Sequence, residues 1–474
     1  MSAWPALREA DERFLAYGAP RDGRVTPGDH LQTAYNLWLP GHRLARGEAP
    51  WLDPYSFQPA VPPRVNFAGW PFALVYGPLE WLLGTVRGWN ALVLLGYVGA
   101  GGLTTLWLRT LGLPLGAALV GGLAFALAPY RVVQTAGGHL LAPVSMLLPL
   151  ALYGVERRLT WLAAAALASI PLSGQVHLAL GAIPFVLAYA LVRGRRAAAW
   201  WSTGAGIAAG LLVWAVSLRG NEPERSFADV ERYSAHVGDF LGRTVHEFER
   251  FVLLGWLLPL LALAGVVLAR RRDLAAVLAV GVVVPVLLAL GSTTPLYEPL
   301  WRTLPGLGST RVPERLLPIA CLCLAGLAAI AVARVPRGWM VAAAGLAGVV
   351  DLRAGVELLR PLNADEGNRA YAALREQPAG RLLELPVRLP DEFASSVYLY
   401  YAMQAPRERP LGYSTAAPEA ATETARALRR TPCDAALLRR LGVRSVVGFD
   451  GRRCPGRVVA RDGGAVLVAP PTHG

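Results

Sequence analysis

Lysine is missing from this chain: all 46 basic residues are arginine, a pattern that GC-rich coding produces and from which no mechanism is drawn. Charge of any kind is scarce. Only 17% of residues are charged and mean hydropathy is +0.38, whereas about a quarter of an average soluble chain is charged. A soluble globular class is therefore excluded and a polytopic membrane protein is indicated. The formal charge of +13 does not point to nucleic acid, because the arginines fall largely in short clusters between apolar spans, as the positive-inside rule produces. The first 25 residues lack the apolar run that a signal peptide needs. No second His or Cys stands at ligand spacing near His139, so zinc is disfavoured, and no metal or cofactor is expected.

What is present begins with a long polar segment, residues 26–70, holding an acid at a turn (Gly28, Asp29), a short amphipathic helix (Leu31, Tyr35, Leu37, Trp38) and a Pro- and aromatic-rich return. A segment this long beside apolar spans reads as a platform at the membrane surface. Residues 71–86 are apolar but short, broken by Pro78 and carrying Glu80, which predicts a partial or surface-lying helix. Ten spans are expected at 89–108, 114–130, 140–155, 159–173, 175–192, 198–218, 251–269, 274–290, 314–333 and 338–352. Arginines at 109, 157, 158, 193, 195, 196, 270, 271, 272, 334 and 337 occupy every second connection, which places those loops in the cytoplasm and the others outside, together with everything after Val350. The expected division is 1–88 as an extracytoplasmic loop with juxtamembrane helices, 89–352 as the transmembrane domain, and 353–474 as an extracytoplasmic α/β domain. In that tail RLLELPVRL, VRSVVGF and GAVLVA read as strands, and PEAATETARALRR and DAALLRRLG as helices, with no nucleotide loop or nucleophile elbow.

The order of several motifs resembles the GT-C superfamily of polytopic glycosyltransferases, in particular uncharacterised bacterial members. They are an acidic GDxxQ first loop, APYR followed by GH, the ERYSAHVGDF stretch, LPGLGSTRVPERL opening a late span, and an α/β tail, spread over residues 27–450. The resemblance implies that an Asp in the first outer loop acts as base, here Asp29, and that the donor is a polyprenyl-phosphate sugar. That family sets a transmembrane helix ahead of this loop. Either an upstream start supplies it, which is the preferred expectation, or residues 71–86 cross and the opening loop is cytoplasmic.

Sugar transfer from a lipid phosphate needs a carboxylate to take the acceptor's proton and cations to meet the charge on the departing phosphate. Asp29 suits the first task, against the alternative that it caps the following helix; His30 and Gln32 are candidate assistants and Asp53 a reserve acid. Arg131, Gln134 and His139, in a Gly-bearing outer loop, are candidates for the phosphate, against simple snorkelling of the arginine. Gln175 and His177 open a span and either line a substrate cavity or bond between helices. Glu80 is placed to hang near Asp29 and tune it. Glu231, with Arg232 and Tyr233, is a candidate wall of the acceptor site, against a solvated face. Arg311 ranks with Arg131 as a phosphate ligand, while Arg315, beside Glu314, is a candidate for a salt bridge instead. GYS at 412–414 reads as a plain turn rather than an acceptor contact.

The partners expected are therefore a polyprenyl-phosphate sugar donor, a glycan, lipid or protein acceptor, and the bilayer itself, with the protein multi-pass in the plasma membrane and serving cell-envelope glycan synthesis. The alternative class is a transporter or flippase, which would show internal repeats and polar residues at mid-membrane. No obvious repeat is seen, and the ionisable residues gather at the outer face; a catalytically inactive scaffold is the third reading. Among the cysteines, Cys321 and Cys323 point about 200° apart on one apolar helix and cannot pair. Cys433 begins a helix and Cys454 follows the strand that runs back beside it, which predicts a bridge between them in an oxidising compartment.

Overall fold

The computed structural model describes residues 12–17, 24–218, 225–243, 248–353 and 360–470; parts of the opening 25 residues and of the outer loop 219–250 discussed above lie outside them. The chain forms two compact units, one holding residues 90–216 and 222–359, the other 4–89, 217–221 and 360–474.

The first unit is helical. Its centre is Leu317–Val332, every residue of which is buried, as expected of a helix apolar on all sides. Neighbours approach it closely because small residues face it: a Cβ added at Gly265 would lie 2.0 Å from the Leu327 carbonyl oxygen, so only glycine permits that crossing. Thr85–Thr110, Arg196–Ser217 and Arg272–Ala289 bury only 28–33% of their most apolar stretch. They show Val98, Trp200, Trp201, Leu211, Val280 and Val283 on the outside, a surface that suits lipid and not water. Inside, Trp107 Nε1 donates to the Tyr189 hydroxyl (2.9 Å), which donates to Glu156 (2.7 Å), and Arg193 Nη2 closes the chain on Glu156 (2.8 Å).

Apolar helices stand close to all ten expected positions, yet ten crossings are not found. Among the described residues four helices are long and apolar enough to cross a membrane, or five if the pair Leu115–Ala126 and Pro129–Ala136, bent by 42°, is one broken span. The others fall short for local reasons. Leu141–Val144 and Leu147–Glu156 are separate pieces, and the 13-residue Thr160–Leu172 rises only about 20 Å against a hydrocarbon layer of about 30 Å. Hydropathy sees the apolar run and not the break inside it.

The second unit joins the start of the chain to its tail. Strand Arg13–Ala16 pairs antiparallel with Arg360–Asn363, and Leu52–Asp53 with Arg64–Val65. Helix Asp29–Leu44 packs on helix Ser396–Gln404, and within the 71–86 stretch Ala73–Leu83 is a helix of only eleven residues with Leu74, Trp81 and Leu82 exposed. The tail sheet runs Arg381–Leu385, Val443–Gly448, Ala465–Ala469, Arg457–Asp462; its first pair is parallel and the rest antiparallel. Three of these strands match the sequence expectation. The fourth, Arg457–Asp462, lies at the sheet edge with little burial, so it lacks the apolar alternation that marks a strand. Helices Glu419–Arg430 and Ala435–Arg440 cover a core of Leu383, Leu428, Leu438 and Val446, and the predicted Cys433–Cys454 disulfide is formed, with Cα atoms 5.2 Å apart. Cys321 and Cys323 are free and buried.

Candidate functional site

Asp29 is the first residue of its helix, with Gly28 as the cap, so it does not cap the helix itself. Its carboxylate lies at the positive end of the helix dipole, where a negative charge is favoured. Gly28 is required here: a Cβ on it would meet His30 Nδ1 at 2.3 Å. The Tyr413 hydroxyl donates to Asp29 Oδ1 at 2.7 Å. One turn on, Gln32 Nε2 donates to the Tyr413 carbonyl at 3.3 Å, so the i, i+3 spacing of Asp and Gln brings both to one tyrosine. Tyr413 is itself held from behind. Arg409 N donates to the Tyr55 carbonyl and Gln58 N to the Arg409 carbonyl, both at 2.8 Å, and a Cβ at Gly412 would stand 2.8 Å from the Phe57 ring. The Arg409 guanidinium is fully buried against Glu384 (2.6 Å), which anchors the strand-like segment that delivers Tyr413.

The other candidates of this unit divide. His30 is not at the surface: it is 1% exposed, with its ring 5.2 Å from Phe14 and 6.4 Å from Trp89. Burial pushes its pKa down to about 3, Asp29 pulling the other way, so it packs as a neutral ring. Asp53 accepts from the Tyr35 hydroxyl (2.8 Å) and from Tyr55 N (2.9 Å) and so fixes the turn. Glu80 is hydrogen-bonded by Thr85 and faces the like charge of Glu366, and burial pushes its carboxyl up.

In the helical unit Arg131 is committed elsewhere. It is 1% exposed; Nε donates to Ser145 Oγ (2.7 Å), Nη1 to the Phe125 and Ala126 carbonyls (3.1 and 2.9 Å), and Nη2 to the Ala142 carbonyl (2.8 Å). It closes the end of Leu115–Ala126 at the 42° bend, satisfying carbonyls the broken helix leaves open. That removes it from the expected phosphate ligands.

A different group of polar residues gathers in this unit. Gln134 and His139 bond at 2.6 Å, His139 Nε2 stands 3.9 Å from Glu249, and Arg315 Nη2 is 3.0 Å from the same carboxylate. The salt bridge expected of Arg315 exists, made to Glu249 across 66 residues rather than to its neighbour Glu314. Burial works to raise the Glu249 carboxyl, but Arg315 and His139 hold it below its ordinary range. Among the described residues several buried polar atoms here have no hydrogen-bond partner: Tyr130 Oη, Gln134 Nε2, His177 Nε2, Arg225 Nε and Arg315 Nε. Buried polar atoms are normally satisfied, so such a concentration marks a site rather than packing. Arg311 lies 5.3 Å over the Tyr233 ring, which Arg232 also faces at 5.4 Å. Burial and the like charges of Arg311 and Arg315 pull Arg225 down. Three arginines drawn together suit an anion. Gln175 precedes helix Val176–Val192 without capping it, and Glu231 is exposed on Phe227–Tyr233. Among the described residues no group of three His, Cys, Asp or Glu side chains could hold a metal.

Sequence reasoning missed Tyr413, Glu249 and Arg225. The first two act through contacts far along the chain; Arg225 could have been found by reading the outer-loop arginines as a set with Arg311 and Arg315.

Neither a protein-family model nor any curated protein matches the sequence. Among solved structures the chain is similar to the arabinofuranosyltransferase AftD from Mycobacteria in two classes of a mutant. One match has TM-score 0.55 and 18% identity, covering 100% of this chain and 42% of that one; the other has TM-score 0.55 and 16% identity, covering 94% and 41%. The chain thus spans about two-fifths of the AftD length. An oligosaccharyltransferase from Archaeoglobus fulgidus follows at TM-score 0.48 and 13% identity, over 90% of this chain and 64% of that one, too distant to carry an argument. At these identities the likeness to AftD is one of fold alone.

Proposed function

We propose that the protein is a membrane glycosyltransferase that moves a hexosyl or pentosyl group from a polyprenyl-phosphate donor to a glycan, lipid or protein acceptor outside the cytoplasm, in cell-envelope glycan synthesis. The acceptor oxygen attacks the anomeric carbon, the bond from that carbon to the phosphate oxygen breaks, Asp29 takes the hydroxyl proton, and the lipid phosphate leaves with its charge met by arginine. The observation that carries this reading is Asp29 at the head of its helix, gripped by Tyr413. In the helical unit Arg311 and Arg225, with His177, His139 and Gln134 near them, are assigned to the donor phosphate, while Arg315 is held on Glu249 and Gln175 stands at the head of helix Val176–Val192; Gln32 is assigned to positioning, Glu231 is left to the rim, and His30, Glu80 and Arg131 to structure. The arginine-bearing loops and the Cys433–Cys454 bridge support a tail outside the cytoplasm.

The test is Asp29→Asn in the full chain, assayed with a polyprenyl-phosphate sugar. Transfer is expected to fall by about 100-fold or more, the contribution of a general base, with donor binding retained; undiminished transfer would remove Asp29 as the base.

A further inference from the structure

The helix that carries Asp29 at its start has a cleft at its other end. This cleft, of about 410 Å³, is lined by His42 and Arg46, by Arg375 just after helix Arg369–Leu374, and by Met403, Pro406 and Arg407 around the end of helix Ser396–Gln404. No acid lines it. Of the acids near it, Glu48 pairs with Arg43 and Glu408 with Arg381. Among the described residues none of Arg46, Arg375 and Arg407 has a carboxylate partner.

Two of the three guanidiniums are fixed in place. Arg375 donates through Nε and Nη2 to the Gln404 carbonyl (3.2 and 2.6 Å), and Arg407 through Nη2 to the Leu374 and Gln377 carbonyls (2.7 and 2.6 Å) and through Nη1 to that of Pro378. Capping of helix ends accounts for these contacts, but it neutralises no charge and leaves each fork with N–H donors over from its five. Capping does not account for Arg46, which is exposed and whose guanidinium hydrogen-bonds to no described residue. His42 completes the wall, stacked on Trp38 at 4.1 Å with Nε2 3.0 Å from the Tyr55 hydroxyl. Burial and the adjacent Arg46 push its pKa down to about 4, so it stands as a neutral hydrogen-bonding ring. A concave surface with three forks that no carboxylate neutralises, two of them held in place, recognises planar oxyanions. Asp29 and His42 are thirteen residues apart on one helix, which sets the cleft roughly 20 Å from Asp29, beyond the span of a single sugar.

The geometry points to an acceptor subsite for an acidic sugar: this cleft binds a carboxylate- or phosphate-bearing residue of a glycan, several units away from the hydroxyl that reacts. The word acceptor rests on the transferase reading above, whereas the anion site does not. The experiment is calorimetric titration of the detergent-solubilised full chain with trigalacturonate, and in parallel with neutral maltotriose, inorganic phosphate and phosphatidylglycerol vesicles. Trigalacturonate is expected to bind, maltotriose at least about tenfold more weakly, and phosphate to compete with trigalacturonate. Arg46→Ala is expected to weaken trigalacturonate about tenfold or more, the effect of losing a charge-assisted hydrogen bond, with an unchanged thermal midpoint. Arg46→Lys recovers part of the affinity, and added salt lowers it. Equal binding of maltotriose, undiminished binding by Arg46→Ala, or capture of the vesicles through Arg46 in place of the glycan would each overturn the subsite. The two readings fail separately: Asp29→Asn with full transfer removes the transferase assignment and leaves the anion site, while absent trigalacturonate binding removes only the subsite.

Discussion

The hydroxyl of Tyr413 donates to Oδ1 of Asp29 at 2.7 Å, across 384 residues of sequence. A hydrogen bond to a charged group contributes about 1.5–3 kcal/mol, and here it also fixes which way the carboxylate faces. Tyr413→Phe removes the donor and keeps the ring. Transfer is expected to fall about tenfold to a hundredfold in kcat with little change in donor KM, because the bond orients a base and does not hold the donor. In an Asp29→Asn background the same change should cost nothing more; additive losses in this double-mutant cycle would mean that the tyrosine acts elsewhere.

How much of this was legible in the sequence depends on how far apart the partners lie. Asp29 stood out because an acid, a glycine and a glutamine fall within one turn; Tyr413 did not, because a Gly-Tyr-Ser segment looks like any turn until its partner is known. Positions of the helices followed from apolar runs, but not how many reach across a membrane, since the 42° bend and the break between Val144 and Leu147 leave hydropathy unchanged. That same bend explains Arg131. Only the open carbonyls of Phe125 and Ala126 reveal that its charge is structural, and no sequence pattern marks them.

Arg131 and Arg311 should therefore respond in opposite ways. Arg131→Ala leaves buried carbonyls without donors, each costing about 1–3 kcal/mol, so a large fall in thermal midpoint and loss of folded protein are expected. Arg311→Ala should leave the midpoint in place and weaken binding of a polyprenyl-phosphate sugar about tenfold, read by displacement of a labelled donor. A folded, fully stable Arg131→Ala with impaired donor binding would reverse the assignment made here.

The Cys433–Cys454 bridge closes a separation of 21 residues, for which loop-closure entropy gives about 3 kcal/mol. It ties the start of helix Ala435–Arg440 to the turn after strand Val443–Gly448 and so supports the tail core. Replacing both cysteines by serine should lower the unfolding midpoint of the tail, measured by limited proteolysis on heating, and a reductant should do the same to the wild type while leaving the double variant unaffected. Equal sensitivity of the two to reductant would show that the bridge contributes nothing.

His30 makes the protein acid-labile in a calculable direction. Its pKa is pushed down to about 3 by burial, against about 6.5 in an unfolded chain. Below pH 6.5 the unfolded chain takes up a proton that the folded ring refuses, so stability is full above that value and declines as pH falls toward 3. At pH 5 the gap of about 1.5 units costs about 2 kcal/mol. His30→Phe keeps an aromatic ring between Phe14 and Trp89 and removes the titration. The wild-type midpoint, followed by tryptophan fluorescence in detergent, should drop between pH 7.5 and 5, and the variant's should drop clearly less, every other titrating group being common to both. Parallel pH dependences would mean that the imidazole meets water or a partner in the native state, and that its burial beside Asp29 does not set the acid limit.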